Sequence, residues 1–102
     1  MSVDQETVHQ TMRERGAVYG EPHHSHKNIG LEWTGILQQF YGIDLPSPIP
    51  AHVVELMMAS FKIHRAVRVF HKDNYVDCRA YLEFAEHGHS HPDEPFVRHK
   101  SQ

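Results

Sequence analysis

The sequence predicts an all-α, compact four-helix domain, and three observations carry that expectation. Apolar residues recur at steps of three and four along most of the 102 residues, with almost no alternating strand pattern. Gly16, Gly20 and the run Gly42 to Pro50 (GIDLPSPIP) punctuate those periodic segments. A content of 39% hydrophobic and 23% charged residues is enough to build a core and falls outside the disordered range.

The first helix is expected from about Asp4 to Arg15, polar with a thin Val8/Met12 stripe. The second is expected from Pro22 to Tyr41. Pro22 suits a first helical turn, where its missing N–H would have no partner, and Gly42 suits the terminus. Ile29, Trp33, Ile36, Leu37 and Phe40 form its expected core stripe. The third helix is expected from Pro50 to His71. Val53, Leu56, Ile63, Val67 and Phe70 make one apolar face, widened by Val54, Met57, Met58 and Phe61, as in the central helix of a bundle. The fourth is expected from Asn74 to His87, with Asp73 as N-cap and Gly88 just past its end. Cys78, Tyr81, Leu82 and Ala85 supply its expected inner face. The short 71–74 connection makes the last two helices antiparallel neighbours. Residues 1–88 are read as one helical domain and 89–102 as a disordered, His-rich C-terminal tail.

Composition excludes several classes. Ten Lys and Arg against 13 Asp and Glu give a net charge of −3, unlike a general nucleic-acid or membrane-surface binder. No helix-turn-helix pattern stands out, so no nucleic-acid partner is expected. A single cysteine, Cys78, excludes an intrachain disulfide framework. The first ten residues carry no apolar signal region and no run is long enough to span a bilayer, so a soluble, cytoplasmic protein without a membrane partner is expected. A chain this short buries only about 60–65% of its unfolded surface, which favours a homo-oligomer.

Charges on the apolar helices are the main candidates for chemistry. Lys62, Arg65, Arg68 and Lys72 share one stripe of the third helix. Four cations so placed repel one another unless anions lie nearby, which leaves a salt-bridged solvated face or a bound phosphate. Lys62 and Arg65 stand beside the expected core, where unpaired charge is expensive. Asp73, Asp77 and Tyr81 follow at steps of four. Such carboxylates could hold Mg²⁺ with a phosphate, or Asp73 could cap the helix while Asp77 pairs with Lys62 or Arg65. Arg15 and Tyr19, in a Gly-bracketed turn, could grip a phosphate and stack a base, or form a plain interhelical turn. Trp33 is a core residue or a second stacking platform. The clusters His23/His24/His26 and His87/His89/His91 lack the frame of a committed zinc site, so no metal is assigned to them. No catalytic nucleophile stands out: Cys78 is on an apolar helix face, and no serine sits in a nucleophile elbow.

The order R-G-A-V-Y-G-E (Arg15 to Glu21), a Trp-bearing helix, M-M-A-S-F-K-I-H-R (Met57 to Arg65) and D-N-Y-V-D-C-R-A-Y (Asp73 to Tyr81) resembles a group of short, uncharacterised phage and prophage proteins. The resemblance spans Arg13 to Glu86. More distantly, the chain is similar to the MazG-like all-α nucleoside triphosphate pyrophosphatases, which implies an α-helical oligomer and nucleotide chemistry at Asp77 and, loosely, Asp73 and Tyr81. Those enzymes hold Mg²⁺ with about four acidic residues on two helices. Here Asn74 replaces the expected Glu, and only Glu32 and Glu55 remain on the preceding helices.

The expectation is therefore a phage-type protein that binds, and could sequester, a phosphorylated nucleotide or nucleotide-derived defence signal without chemistry and without a cofactor. Arg15, Tyr19, Trp33, Lys62, Arg65, Asp77 and Tyr81 are its candidate ligand contacts. The alternatives are a Mg²⁺-dependent pyrophosphohydrolase using Glu32, Glu55, Asp73 and Asp77, and a protein-interaction module that inhibits a host protein through its Met57/Met58/Phe61 surface.

Overall fold

In the computed structural model, which describes residues 22–92, all regular secondary structure is helical. Helix α1 spans Pro22–Tyr41, α2 Ala51–Arg68 and α3 Lys72–Ser90. The helix expected before Pro22 and the tail beyond residue 92 lie outside the described residues. Three helices are therefore on view where four were expected.

Several helix termini have a local cause. Gly42 adopts φ +64° and its N–H bonds the Gln38 carbonyl at 2.8 Å, closing α1 in a left-handed conformation that costs glycine little. Pro50 is extended and its carbonyl accepts from Val53 and Val54 at 3.0 and 3.1 Å, starting α2. Extended Val69 and His71 bound the three-residue link to α3. Asp73 falls in the first turn of α3, where its charge favours the helix dipole, and His71 takes the capping position expected of Asp73. Gly88 is buried inside α3, not past its end, and the helix runs on to Ser90.

α2 and α3 form an antiparallel hairpin. Lys62 meets Asp77, the Cys78 thiol lies 3.7 Å from the Ala59 carbonyl, and Gly88 lies against Glu55 and His52. α1 packs on one side of the hairpin. Gly30 makes that approach possible, because any Cβ there would overlap the Ile49 carbonyl oxygen. Thr34 fastens the same loop: its hydroxyl donates to the Gly30 carbonyl at 2.6 Å and accepts from the Ile49 N–H at 2.8 Å.

The buried apolar set is small-residue rich: Ala51, Val54, Ala59, Val76, Ala80, Phe84 and Ala85. This corrects much of the expected core. On α1 the buried residues are His26, Gly30 and Thr34, about a quarter turn around from Ile36 and Phe40, which are exposed. On α2, Leu56, Ile63 and Val67 are exposed, as are Met57 and Phe61 on another flank. Phe70 in the link and Leu82 on α3 are exposed too. Helical periodicity finds an apolar stripe but does not say what covers it. Here the helices approach through alanine, glycine and polar side chains, and the bulky stripes are left outside.

Candidate functional site

A row of polar side chains runs along the α2–α3 seam. Glu55 and Lys62, seven residues apart on α2, share a face and stand about 10 Å apart along the helix axis. Each is matched by a partner from another helix.

At one end, Lys62 Nζ lies 2.9 Å from Asp77 Oδ2, with the Lys side chain 15% and the Asp side chain 5% exposed. Buried Asn74 precedes Asp77 by three residues on α3. Phe61 sits beneath the cations: Lys62 Nζ is 6.0 Å and Arg65 Cζ 5.7 Å from its ring centroid. Arg65 is exposed, and among the described residues no carboxylate pairs with it. Arg68, the last residue of α2, is also exposed, and the expected stripe stops there: exposed Lys72 opens α3, beyond the three-residue link.

At the other end, His26 Nδ1 is 2.5 Å from Glu55 Oε2, both residues being buried. The His26 ring packs on Tyr81 and Phe84, with centroids 5.8 and 5.6 Å away. Glu55 Oε1 is buried without a hydrogen-bond partner, beside Gly88. Tyr81 joins the two ends, standing one turn beyond Asp77 on α3 and facing His26 from α1.

Of the seven sequence-derived contacts, the structure brings Lys62 and Asp77 together and places Tyr81 next along the same seam. Arg65 stands at its rim and Trp33 is half-buried on α1. Arg15 and Tyr19 lie outside the described residues. The acids proposed for Mg²⁺ are dispersed. Glu32 and Asp73 are exposed, Glu55 is engaged by His26 and Asp77 by Lys62. Among the described residues no three His, Cys, Asp or Glu side chains converge into a metal-binding group. Half-buried Cys78 has its thiol pKa pushed up by burial, against the opposing pull of the Arg79 guanidinium. That keeps it protonated and a poor nucleophile near neutral pH.

Sequence reasoning missed the His26–Glu55 pair, although Glu55 and Lys62 share a helical face and His26 stands one turn before Gly30. A cavity of about 230 Å³ lies elsewhere, between α1 and the start of α2, bordered by His23, Lys27, Leu31, Ile49 and His52. None of the seven candidate contacts lines it. No helix among the described residues is long and apolar enough to cross a membrane.

None of the curated proteins and none of the solved structures compared with the chain matches it significantly. A family model does match residues 4–89, and so includes all of α1, α2 and nearly all of α3. On that match the chain belongs to the family described as Domain of unknown function (DUF6378).

Proposed function

We propose that the protein binds a small phosphorylated ligand of the nucleotide class and does not turn it over. One observation carries the reading: on the polar seam the buried carboxylates are engaged by cationic or imidazole partners, while the neighbouring Arg65 guanidinium stays exposed over Phe61. Engaged carboxylates are poor Mg²⁺ ligands, because a hard cation would have to displace Lys62 or His26. An exposed guanidinium beside an aromatic ring suits a phosphate, which it can grip with two N–H donors. In this reading Arg65 and Lys62 contact phosphate, and Asp77 orients Lys62. Tyr81 and Trp33 offer aromatic surface for a base, and the sequence adds Arg15 and Tyr19 as further candidate contacts. In the phage setting that the sequence resemblance suggests, such a protein would sequester a nucleotide signal or hold a nucleotide precursor in the cell that the phage infects.

The test is incubation of the purified chain with a panel of linear and cyclic nucleotides, with and without Mg²⁺. Mass spectrometry of the free and heat-released fractions follows. An intact nucleotide recovered from the protein is the expected result, with binding lost or weakened at least about tenfold in Arg65→Ala, the equivalent of about 1.4 kcal/mol. Arg65 is the clean probe because it is exposed, whereas Lys62 is also engaged with buried Asp77. Conversion of a triphosphate to monophosphate and pyrophosphate would overturn the reading in favour of a hydrolase. Absence of any bound nucleotide would overturn it altogether.

A further inference from the structure

We infer that the side of the α2–α3 hairpin turned away from α1 is the docking surface for a second copy of this chain. The placement follows from helical geometry. α1 approaches the hairpin at Val54, Glu55, Tyr81 and Phe84. At 100° per residue, Leu56, Ile63 and Val67 project from the opposite flank of α2, beyond Ala59. Tyr75 and Leu82 project from the matching flank of α3, beyond Cys78, and the Cys78–Ala59 contact joins the two flanks. Phe70 extends the surface at the link, its ring 5.8 Å from that of Tyr75.

The area fits a dimer. Leu56, Ile63, Val67, Phe70, Tyr75 and Leu82 are 45, 55, 79, 65, 42 and 46% exposed. Together they leave on the order of 600 Å² of mostly apolar surface open per chain, most of the roughly 800 Å² that each partner contributes to a standard stable interface. The internal core is built largely of alanine, so this side holds much of the bulky apolar surface that the chain leaves uncovered.

The charge pattern selects a second copy as the occupant. Across a two-fold axis, residues near the axis face their own counterparts, so a charge there meets a like charge. The α2 stripe Val53, Leu56, Ser60, Ile63 and Val67 carries no Asp, Glu, Lys or Arg over four turns. Small, exposed Ser60 at its middle lets two α2 helices approach where they cross. At the α3 edge, exposed Arg79 and Glu86 stand seven residues apart on one face. A two-fold axis passing between them sets each against the opposite charge of the other copy.

The test measures the mass of the full chain in solution by sedimentation equilibrium between 1 and 100 µM, a range of about two decades that brackets ordinary dimer affinities. Twice the 11.9 kDa chain mass is expected for the wild type. Ile63→Asp should weaken association at least about a hundredfold and give the single-chain mass with helical circular dichroism retained. A second variant removes dependence on that fold. In Ser60→Cys/Cys78→Ser, mild oxidation should give a disulfide-linked species of twice the chain mass. A wild type of single-chain mass throughout, a folded Ile63→Asp that still dimerises, or a Ser60→Cys/Cys78→Ser dimer that oxidation fails to cross-link would each overturn the inference.

Discussion

Lys62 and Asp77 meet at 2.9 Å with most of both side chains withdrawn from water, so each offsets part of the other's desolvation. Removing one partner of such a pair leaves a desolvated charge behind, at a cost of about 3–5 kcal/mol. Lys62 retains 15% exposure and a flexible stem that can swing towards solvent, so Asp77→Ala belongs at the lower end. The expected loss is about 3 kcal/mol, read as a lowered urea midpoint with an unchanged slope. Lys62→Met/Asp77→Leu should recover part of that loss, since two apolar side chains of similar size leave neither charge of this pair behind. A single variant within about 0.5 kcal/mol of wild type would show that the pair is a surface contact in solution. Part of this pairing was legible in the sequence: the short link makes the last two helices antiparallel, which offered Asp77 to Lys62 or Arg65, and the structure selects Lys62. His26–Glu55 was not legible. His26 stood in a histidine-rich stretch, and nothing local marks which imidazole turns inward. Only the close approach of α1, permitted by Gly30, selects it.

That approach can be tested on α1 itself, which has two interior glycines in different surroundings. Gly30 faces the Ile49 carbonyl so closely that a methyl group cannot be accommodated without moving the 42–50 loop or the helix. Gly35 has nothing within 4 Å of where a Cβ would stand, and it is exposed. Alanine is the better helix former by about 0.8–1.0 kcal/mol. Gly35→Ala should therefore raise the melting temperature by a few degrees, at about 4–8 °C per kcal/mol for a chain of this size. Gly30→Ala has the same propensity gain but forces an overlap with backbone, and overpacking costs about 1–3 kcal/mol. Its melting temperature should fall, so opposite signs in one helix are the expected outcome of thermal denaturation. The same comparison shows what was readable at this scale. Gly42 marked the C-terminal end of α1 to the residue, since capping chemistry is local. The buried face was misplaced because the strongest apolar stripe, running through Ile36 and Phe40, is not the one that packs on the hairpin. Gly88 misled for a related reason. A glycine near a helix end suits a cap, but here it is an interior residue that makes room for Glu55 and His52.

For the whole molecule, the alanine-rich interior and the bulky apolar exterior have one thermodynamic consequence. Val54 is the only large side chain among the described residues that is essentially free of solvent, and a small domain with so thin a core has little stability in isolation. If a second copy covers Leu56, Ile63, Val67, Phe70, Tyr75 and Leu82, folding and association are linked, and dilution acts as a denaturant. Each tenfold rise in chain concentration then stabilises the folded dimer by about 1.4 kcal/mol per mole of dimer. The melting temperature of the wild type should climb steadily between low and high micromolar concentration. That of Ile63→Asp should be lower and independent of concentration, because the charged side chain stays in water on a folded monomer. High salt should leave the wild-type slope in place, because apolar burial supplies most of the association energy and the Arg79–Glu86 contacts sit at its rim. A wild-type melting temperature that does not move with concentration would mean that the chain is stable alone, with the apolar side of the α2–α3 hairpin facing water.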